Sequence, residues 1–151
     1  TSREGFTKAH QISAYSLMPL TAHMLPLMKE AGGASILSIS FIGSVLAVPN
    51  YNVMGPAKAS LESSMRYLAR ELGPENIRAN VISAGAIRTI SASGIKNFSE
   101  MLRVAGEHSA MKRTATQEEV GKAAVFLCSD AASAITGQVI YVDCGYSMMA
   151  N

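Results

Sequence analysis

A tyrosine and a lysine, Tyr51 and Lys58, lie seven residues apart in the segment NYNVMGPAKAS, residues 50–60. If this segment is helical from its start, seven residues make almost two turns, so the two side chains share one face. A nearby cation favours the ionised phenol, so we expect Lys58 to lower the pKa of Tyr51. Such a phenol can donate to a developing oxyanion, and the ammonium can hold hydroxyl groups. The pair by itself is more typical of a tyrosine packed at a helix start and an ordinary surface lysine.

The elements that position this pair follow from apolar periodicity, β-forming runs and helix caps. Thr116 and Glu119 have the spacing of a capping box at the start of one helix. Strands alternating with helices indicate an α/β fold with a parallel sheet, about three strands flanked by helices. This order is typical of the latter part of a doubly wound, Rossmann-like fold. We predict helices over residues 2–29, 52–72, 98–107 and 117–128, and strands over 34–40, 77–83 and 138–143.

The first predicted helix is apolar around most of its circumference between residues 12 and 28. A helix that is apolar on most sides is buried on most sides, which in a small domain indicates a subunit interface. Pro19 and Pro26 are expected to kink or divide this helix. The apolar stretch is too short and too polar to predict a membrane span.

Composition limits the function classes that need to be considered. The chain has 151 residues, of which 48% are apolar and 16% charged, and its net charge is +2. Because no basic stripe with interleaved aromatic residues occurs, nucleic acid is an unexpected partner. Cys128 and Cys144 have neither metal-ligand nor redox spacing, which favours a reduced compartment over a disulfide framework. The three histidines, His10, His23 and His108, show no metal-binding spacing, so no metal site is predicted.

The context of the tyrosine and the lysine carries a family resemblance. The segment PNYNVMGPAKASLE resembles the short-chain dehydrogenase/reductase superfamily, and more narrowly the bacterial NADH-dependent enoyl-[acyl-carrier-protein] reductases of the FabI type. Most superfamily members separate the two catalytic residues by three positions, which would place Met54 where the tyrosine belongs. The enoyl reductases use six, which fits Tyr51 and Lys58. The resemblance continues through RANVISAGAIRT, SASGIK, KRTAT, EEVGKAAVFLCSD and ITGQVIYVDCG, over essentially the whole chain.

The resemblance implies a catalytic role for both residues. Tyr51 would hydrogen-bond the thioester carbonyl oxygen of the substrate as an enolate develops, and Lys58 would bind the nicotinamide ribose hydroxyls. NADH would deliver hydride to the β-carbon of a trans-2-enoyl thioester carried by acyl-carrier protein. The physical argument agrees, because a donor placed where charge grows lowers the barrier.

The resemblance also implies further binding residues. The backbone of Ile87 would meet the nicotinamide carboxamide, and Thr89 would contact the phosphate side of the cofactor. Residues 90–101 resemble a mobile substrate-binding loop. An apolar acyl pocket would be formed there by Met54, Ala92, Ile95, Phe98 and Met101. A plain strand-to-loop transition and an ordinary core cluster are the alternative interpretations of these two groups.

Departures from the family pattern qualify these expectations. Phe41 stands where the reductases usually have a second active-site tyrosine, Ala86 replaces a proline before Ile87, and Cys144 replaces a glycine after Asp143. The glycine-rich turn that receives the pyrophosphate does not occur in the sequence. Residues 1–151 are therefore interpreted as one partial Rossmann-like domain without its N-terminal cofactor-binding half.

The complete protein is expected to be cytoplasmic and homotetrameric, with NAD as its cofactor and no membrane partner. The 151 residues alone are expected to bind NADH weakly or not at all. Two alternatives stay open: another short-chain reductase, such as a 3-ketoacyl reductase, and a non-catalytic fragment that keeps an apolar interface.

Overall fold

The structure is a computed structural model that describes residues 1–89 and 97–149. Strands and helices alternate along most of the chain, as the sequence predicts. The first two predicted strands differ from the structure by one residue at one end, and the third differs by one residue at each end. Single turns of tighter helix follow β1, α3 and α5. The elements are α1 (Arg3–His10), α2 (Leu17–Glu30), β1 (Ala34–Phe41), α3 (Met54–Leu72), β2 (Ile77–Ala84), α4 (Phe98–His108), α5 (Gln117–Cys128) and β3 (Val139–Val142).

The three strands form one parallel sheet in the order β1-β2-β3. Its register pairs Ser40 with Ser83, and Ser83 with Tyr141, so these three residues form a row across the sheet. Residues two apart in a strand share a face, so the sheet has two apolar faces, each covered by a helix. The cluster on the α3 side contains Ile36, Met65, Ala69, Ile77, Ala79 and Val81, and the cluster on the α5 side contains Ile82, Ala84, Val120, Leu127 and Ala132.

The long first helix is interrupted, but not where the sequence predicts. A π-helical turn over Gln11–Tyr15 separates α1 from α2. Pro19 lies in the first turn of α2, where a backbone N–H has no intrahelical acceptor, and Pro26 lies inside α2 without ending it. The prediction that Pro19 and Pro26 kink or divide the helix is therefore wrong about where the helix divides. The division precedes Pro19, which fits the first turn of α2 because its missing N–H removes no helical hydrogen bond there.

Buried polar side chains attach the segment before β3 to β2. Asn80 is fully buried, and its Nδ2 donates to the carbonyl of Ile135 at 2.7 Å. Its Oδ1 accepts from the backbone N–H of Gln138 at 3.1 Å. Arg78 donates to the carbonyl of Leu127 at 2.7 Å, at the end of α5. Since a buried polar group without a partner costs free energy, these bonds fix the path that leads into β3.

The capping box at Thr116 is confirmed. The Thr116 hydroxyl accepts from the N–H of Glu119 at 3.2 Å, and the Glu119 carboxylate accepts from the N–H of Thr116 at 2.9 Å. Arg113 donates to the same carboxylate, and this bond, together with the backbone bond, holds the pKa of Glu119 at about 2. The local sequence therefore determines where α5 begins.

Cys144 adopts a backbone conformation that favours glycine. Its φ is 57°, in the left-handed region, and its carbonyl accepts from the N–H of Met111 at 3.1 Å. A Cβ in this region is strained, so Cys144→Gly is expected to raise the free energy of unfolding by about 1 kcal/mol. Urea unfolding of the two proteins measures this difference. An unchanged or lower stability would contradict the assignment of strain to this residue.

No helix among residues 1–89 and 97–149 is long and apolar enough to cross a membrane. Within the same residues, no three His, Cys, Asp or Glu side chains converge in a group that could hold a metal ion.

Candidate active site

Tyr51 lies in a turn that precedes α3, and the helix begins three residues later, at Met54. Its N–H donates to the carbonyl of Val48, and its own carbonyl accepts from the N–H of Met54, each at 3.1 Å. Asn50 and Asn52 on either side have φ values of 63° and 46°, the left-handed region that asparagine tolerates well. The prediction of a helix from residue 52, with Tyr51 and Lys58 two turns apart on it, is therefore wrong in its geometry.

Two glycines permit close packing around Tyr51: Gly43 makes room for its ring, and Gly55 makes room for the backbone of Gly43. The ring contacts Phe41 edge to face, with centroids 4.9 Å apart and an interplanar angle of 63°. A Cβ on Gly43 would lie 2.5 Å from Cδ1 of Tyr51, and a Cβ on Gly55 would lie 2.7 Å from the Gly43 carbonyl oxygen. Glycine at these positions lets the start of α3 approach the turn after β1. Sequence reasoning missed both glycines, because their need depends on contacts between separate elements.

Burial raises the pKa of the Tyr51 phenol to about 12. The prediction that Lys58 lowers the pKa of Tyr51 is therefore wrong, because desolvation of the phenol raises this pKa. A buried environment disfavours the charged phenolate. The phenol is therefore a proton-bearing group at neutral pH, suited to donating a hydrogen bond.

Lys58 reaches the same end of β1 from the first turns of α3. Its Nζ donates to the carbonyl oxygen of Ile39 at 2.8 Å. Burial lowers the pKa of Lys58, and the charge of Glu62 acts in the opposite direction. An ammonium has three N–H donors, so two remain for a ligand. The structure thus brings Lys58 and Tyr51 to neighbouring residues of one strand, Ile39 and Phe41, although they do not share a helix face.

A cavity of about 260 Å³ opens at the carboxyl ends of the strands. Its walls come from the end of β1, the end of β2, helix α4 and the segment after β3. The buried hydroxyl of Ser83, which lines it, has no hydrogen-bond partner among the described residues. The lining includes Phe41, Ile42, Ser83, Ala84, Met101 and Tyr146.

The predicted pocket residues are distributed differently. Met101 lines the cavity, whereas Phe98 is buried at the start of α4. Met54 accepts a weak hydrogen bond from the Ser13 hydroxyl, at 3.9 Å from its sulfur, and does not line this cavity. Ala92 and Ile95 lie outside the described residues.

The segment after β2 carries the predicted cofactor residues. Ile87 is half-buried and packs against the cluster on the α5 side of the sheet. Thr89 follows two residues later. The carbonyl of Arg88, between them, accepts from the side-chain amide of Gln117 at 2.6 Å, so the segment is held at the start of α5. Both predicted residues therefore lie just beyond the carboxyl end of β2, where ligands bind in parallel sheets.

Comparison with known proteins identifies the family of this chain. The family described as Enoyl-(Acyl carrier protein) reductase matches residues 1–147. The enoyl-[acyl-carrier-protein] reductase [NADH] FabI of Nostoc sp. is 54% identical over 149 residues, 99% of this chain and 57% of the relative. This chain belongs to the enoyl-[acyl-carrier-protein] reductase family. The resemblance to the short-chain dehydrogenase/reductase superfamily is thereby confirmed.

Solved enoyl reductases share the fold. The Bacillus cereus enoyl-acyl carrier protein reductase, solved with NADP+ and indole naphthyridinone, is 50% identical with a TM-score of 0.95. The reductase of Anaplasma phagocytophilum, solved with NAD, is 40% identical with a TM-score of 0.92. This chain is covered completely in both comparisons and matches 58% and 55% of those chains. The chain spans about 57% of the length of its curated enoyl reductase relatives.

The structure shows what surrounds each departure from the enoyl reductase pattern. The Phe41 ring, at the position of the expected second tyrosine, keeps the edge-to-face contact with Tyr51 and lacks a hydroxyl. Ala86 is buried at 9% exposure and lines the cavity. The positive φ of Cys144 explains why a glycine is expected after Asp143.

Two further residues of this enoyl reductase segment escaped the sequence analysis. Glu62 is only 6% exposed, and the buried hydroxyl of Ser40 donates to its carboxylate. The spacing of four residues from Lys58 to Glu62 is a signal that could have identified Glu62, because residues four apart are neighbours on a helix. Ser40 has no such signal, since its contact with Glu62 depends on tertiary packing.

Proposed function

We propose that the complete protein containing this chain reduces the double bond of trans-2-enoyl thioesters on acyl-carrier protein, with NADH, in fatty acid biosynthesis. The observation that carries the proposal is the convergence of Tyr51 and Lys58 on the carboxyl end of β1, through Phe41 and Ile39. A proton-bearing phenol and an ammonium at one strand end supply the two polar functions that this reaction needs.

Tyr51 is the proposed donor to the thioester carbonyl oxygen. Negative charge grows on this oxygen when the β-carbon accepts hydride, and a placed donor stabilises that charge. The raised pKa of Tyr51 supports the role, because the phenol keeps its proton at neutral pH. Its ring is held by Phe41 and Gly43, so little side-chain freedom is lost when the bond forms.

The described residues fit a nicotinamide dinucleotide. Lys58 has two N–H donors left for ribose hydroxyls, and the unpartnered Ser83 hydroxyl is a buried polar atom at the cavity wall. We assign the Ile87 backbone to the carboxamide and Thr89 to the phosphate side. When bound, the cofactor supplies the hydride. NADH is proposed over NADPH because curated relatives are named for NADH, although one solved relative carries NADP+.

The acyl chain is proposed to lie against Met101 and the apolar wall of the cavity. The phenyl ring of Phe41 and the side chain of Ile42 extend the same wall. The proposed substrate-binding set also includes Ala92 and Ile95, together with Met54 and Phe98, which lie outside the lining of this cavity.

We propose that residues 1–151 are one partial Rossmann-like domain. Among the described residues, β1 pairs with β2 on one side, and its other edge carries no partner strand. Ile39 on β1 is 44% exposed, which is high for a strand of a parallel sheet covered on both faces. Both features fit further strands, with their cofactor-binding residues, beside β1.

The complete protein is proposed to be a cytoplasmic homotetramer. Large apolar side chains are exposed along α1, α2 and the turn between them, and exposed apolar area of this size favours a subunit interface. They are Phe6, Ile12, Tyr15, Leu20, Met24 and Leu27.

The test is oxidation of NADH by the complete protein with two substrates, a trans-2-enoyl thioester and a 3-ketoacyl thioester. The proposal expects turnover of the enoyl thioester and little of the ketoacyl thioester. Faster turnover of the ketoacyl thioester would favour a 3-ketoacyl reductase. Failure of the complete protein to change NADH fluorescence would favour a non-catalytic interaction protein.

A further inference from the structure

A carboxylate is buried beneath the proposed active site. Glu62 lies on the face of α3 that packs on the sheet and is 6% exposed. Its Oε1 accepts a hydrogen bond from the hydroxyl of Ser40, which is itself 2% exposed. Carboxylates are rarely buried without a partner, because removing a charge from water is costly. The position therefore calls for a compensating charge.

Two cations of α3, Lys58 and Arg66, lie four residues from Glu62, one on each side, and the side chain of Arg66 is exposed. Lys58 and Glu62 are neighbours on one face of the helix. Burial lowers the pKa of Lys58, and the Glu62 carboxylate raises it. From β3, the Tyr141 phenol also faces Glu62, and Asp143 lies two residues further along. From β1, the facing group is the neutral hydroxyl of Ser40. Among the residues that the structure describes, Lys58 is therefore the half-buried positive charge beside Glu62 on these elements.

Two consecutive residues of β1 hold these two side chains. The Ile39 carbonyl accepts from the Lys58 ammonium at 2.8 Å, and the next residue, Ser40, donates to Glu62. Two hydrogen bonds therefore join one turn of α3 to two consecutive residues of β1. A flexible lysine side chain loses conformational entropy when a ligand orders it. Partners that already hold the side chain reduce this loss on binding.

We infer that Glu62 is a positioning residue for Lys58: its Ser40-anchored carboxylate acts through its charge rather than by direct contact, and together with the Ile39 carbonyl it keeps the Lys58 ammonium charged and in place for the cofactor. This inference rests on the proposed function, because it assumes that Lys58 binds the ribose hydroxyls. Glu62 itself touches neither substrate nor cofactor in this assignment.

The first test is Glu62→Gln in the complete protein, which keeps the shape and an oxygen for the Ser40 hydroxyl but removes the charge. The pKa of Lys58, followed by NMR of labelled lysine without cofactor, is expected to fall by about one unit. The dissociation constant of NADH is expected to rise roughly three- to tenfold. As the pH is raised, NADH binding is expected to be lost at a lower pH in Glu62→Gln than in the wild type. The matched control is Glu71→Gln, an exposed residue near the end of α3.

The second test is a double-mutant cycle with Lys58→Met. If Glu62 acts through Lys58, adding Glu62→Gln to Lys58→Met weakens NADH binding no further. Additive effects would mean that Glu62 has a structural role only, and would overturn the inference. An unchanged Lys58 pKa in a folded Glu62→Gln protein would also overturn it.

Two results separate this inference from the proposed function. If Lys58→Met weakens NADH binding and Glu62→Gln does not, the positioning role fails and the proposed function stands. If Lys58→Met leaves NADH binding unchanged, the assignment of Lys58 to the ribose hydroxyls fails and this inference fails with it, whereas enoyl-thioester turnover by the wild type still decides the proposed function. Should Glu62→Gln not fold, Ser40→Ala decides: it keeps the charge but releases the carboxylate. A weaker affinity for NADH supports the inference, and an unchanged affinity with an unchanged Lys58 pKa contradicts it.

Discussion

Tyr51→Phe in the complete protein is expected to lower kcat for enoyl-thioester reduction by about two orders of magnitude. The change removes the hydroxyl that is proposed to stabilise charge on the thioester oxygen. The ring remains, so the contacts with Phe41 and Gly43 are kept and the fold should be unaffected. Steady-state oxidation of NADH measures the loss, and thermal unfolding verifies the fold.

The pH profile gives a second readout of the same assignment. Because burial raises the pKa of Tyr51 to about 12, the phenol keeps its proton over the working range of the enzyme. An alkaline loss of activity below about pH 11 therefore arises from another group. The matched control is Tyr67→Phe, since Tyr67 is 65% exposed on α3 and distant from the proposed chemistry. A Tyr51→Phe protein with wild-type kcat, on enoyl or ketoacyl thioester, would show that Tyr51 is not the donor.

Lys58→Met in the complete protein is expected to raise the dissociation constant of NADH by about ten- to a hundredfold. The hydrogen bonds that the ammonium is proposed to donate to ribose hydroxyls are lost, and one net hydrogen bond to a charged group is worth roughly 1.5–3 kcal/mol, or about ten- to a hundredfold in affinity. Methionine keeps much of the apolar stem that Lys58 buries, so the packing of α3 changes little. NADH fluorescence titration measures the affinity.

The pH dependence of NADH binding follows from Lys58 in the wild type. Because burial lowers the pKa of this ammonium, its charge is lost at a lower pH than that of an exposed lysine. NADH affinity should therefore fall as the pH rises through this range, and Lys58→Met should abolish that dependence. Lys122→Met is the control, because Lys122 is exposed on α5 and pairs with Glu118. Equal affinities of the Lys58→Met and wild-type proteins would remove Lys58 from the cofactor site.

Local patterns predicted most of the elements because they depend on nearest neighbours in the chain. The Thr116–Glu119 spacing fixed the start of α5 by a hydrogen-bonding pattern three residues long. The β-forming runs located each strand within a residue at either end, and their alternation with helices predicted the parallel sheet. The break before α2 was misplaced, because proline in a first turn is harmless and the π-helical turn has no comparable sequence signal.

The sequence by itself determined which groups this protein has available for chemistry. The motif around Tyr51 and Lys58, together with the further matching segments along the chain, predicted the enoyl reductase family that the comparisons confirm. Neither the helical periodicity assumed for the pair nor the expected effect of Lys58 on the phenol agreed with the structure. Charge proximity can be estimated from spacing along a helix, whereas burial cannot.

Only the tertiary structure decided how those groups are held. It put Tyr51 in a turn against Phe41, and it buried the phenol so that desolvation sets its pKa. It also placed Glu62 beneath Lys58, anchored by Ser40 from a strand 22 residues away. Desolvation and such contacts depend on elements that are distant in the chain, so they arise only when the sheet and α3 pack together.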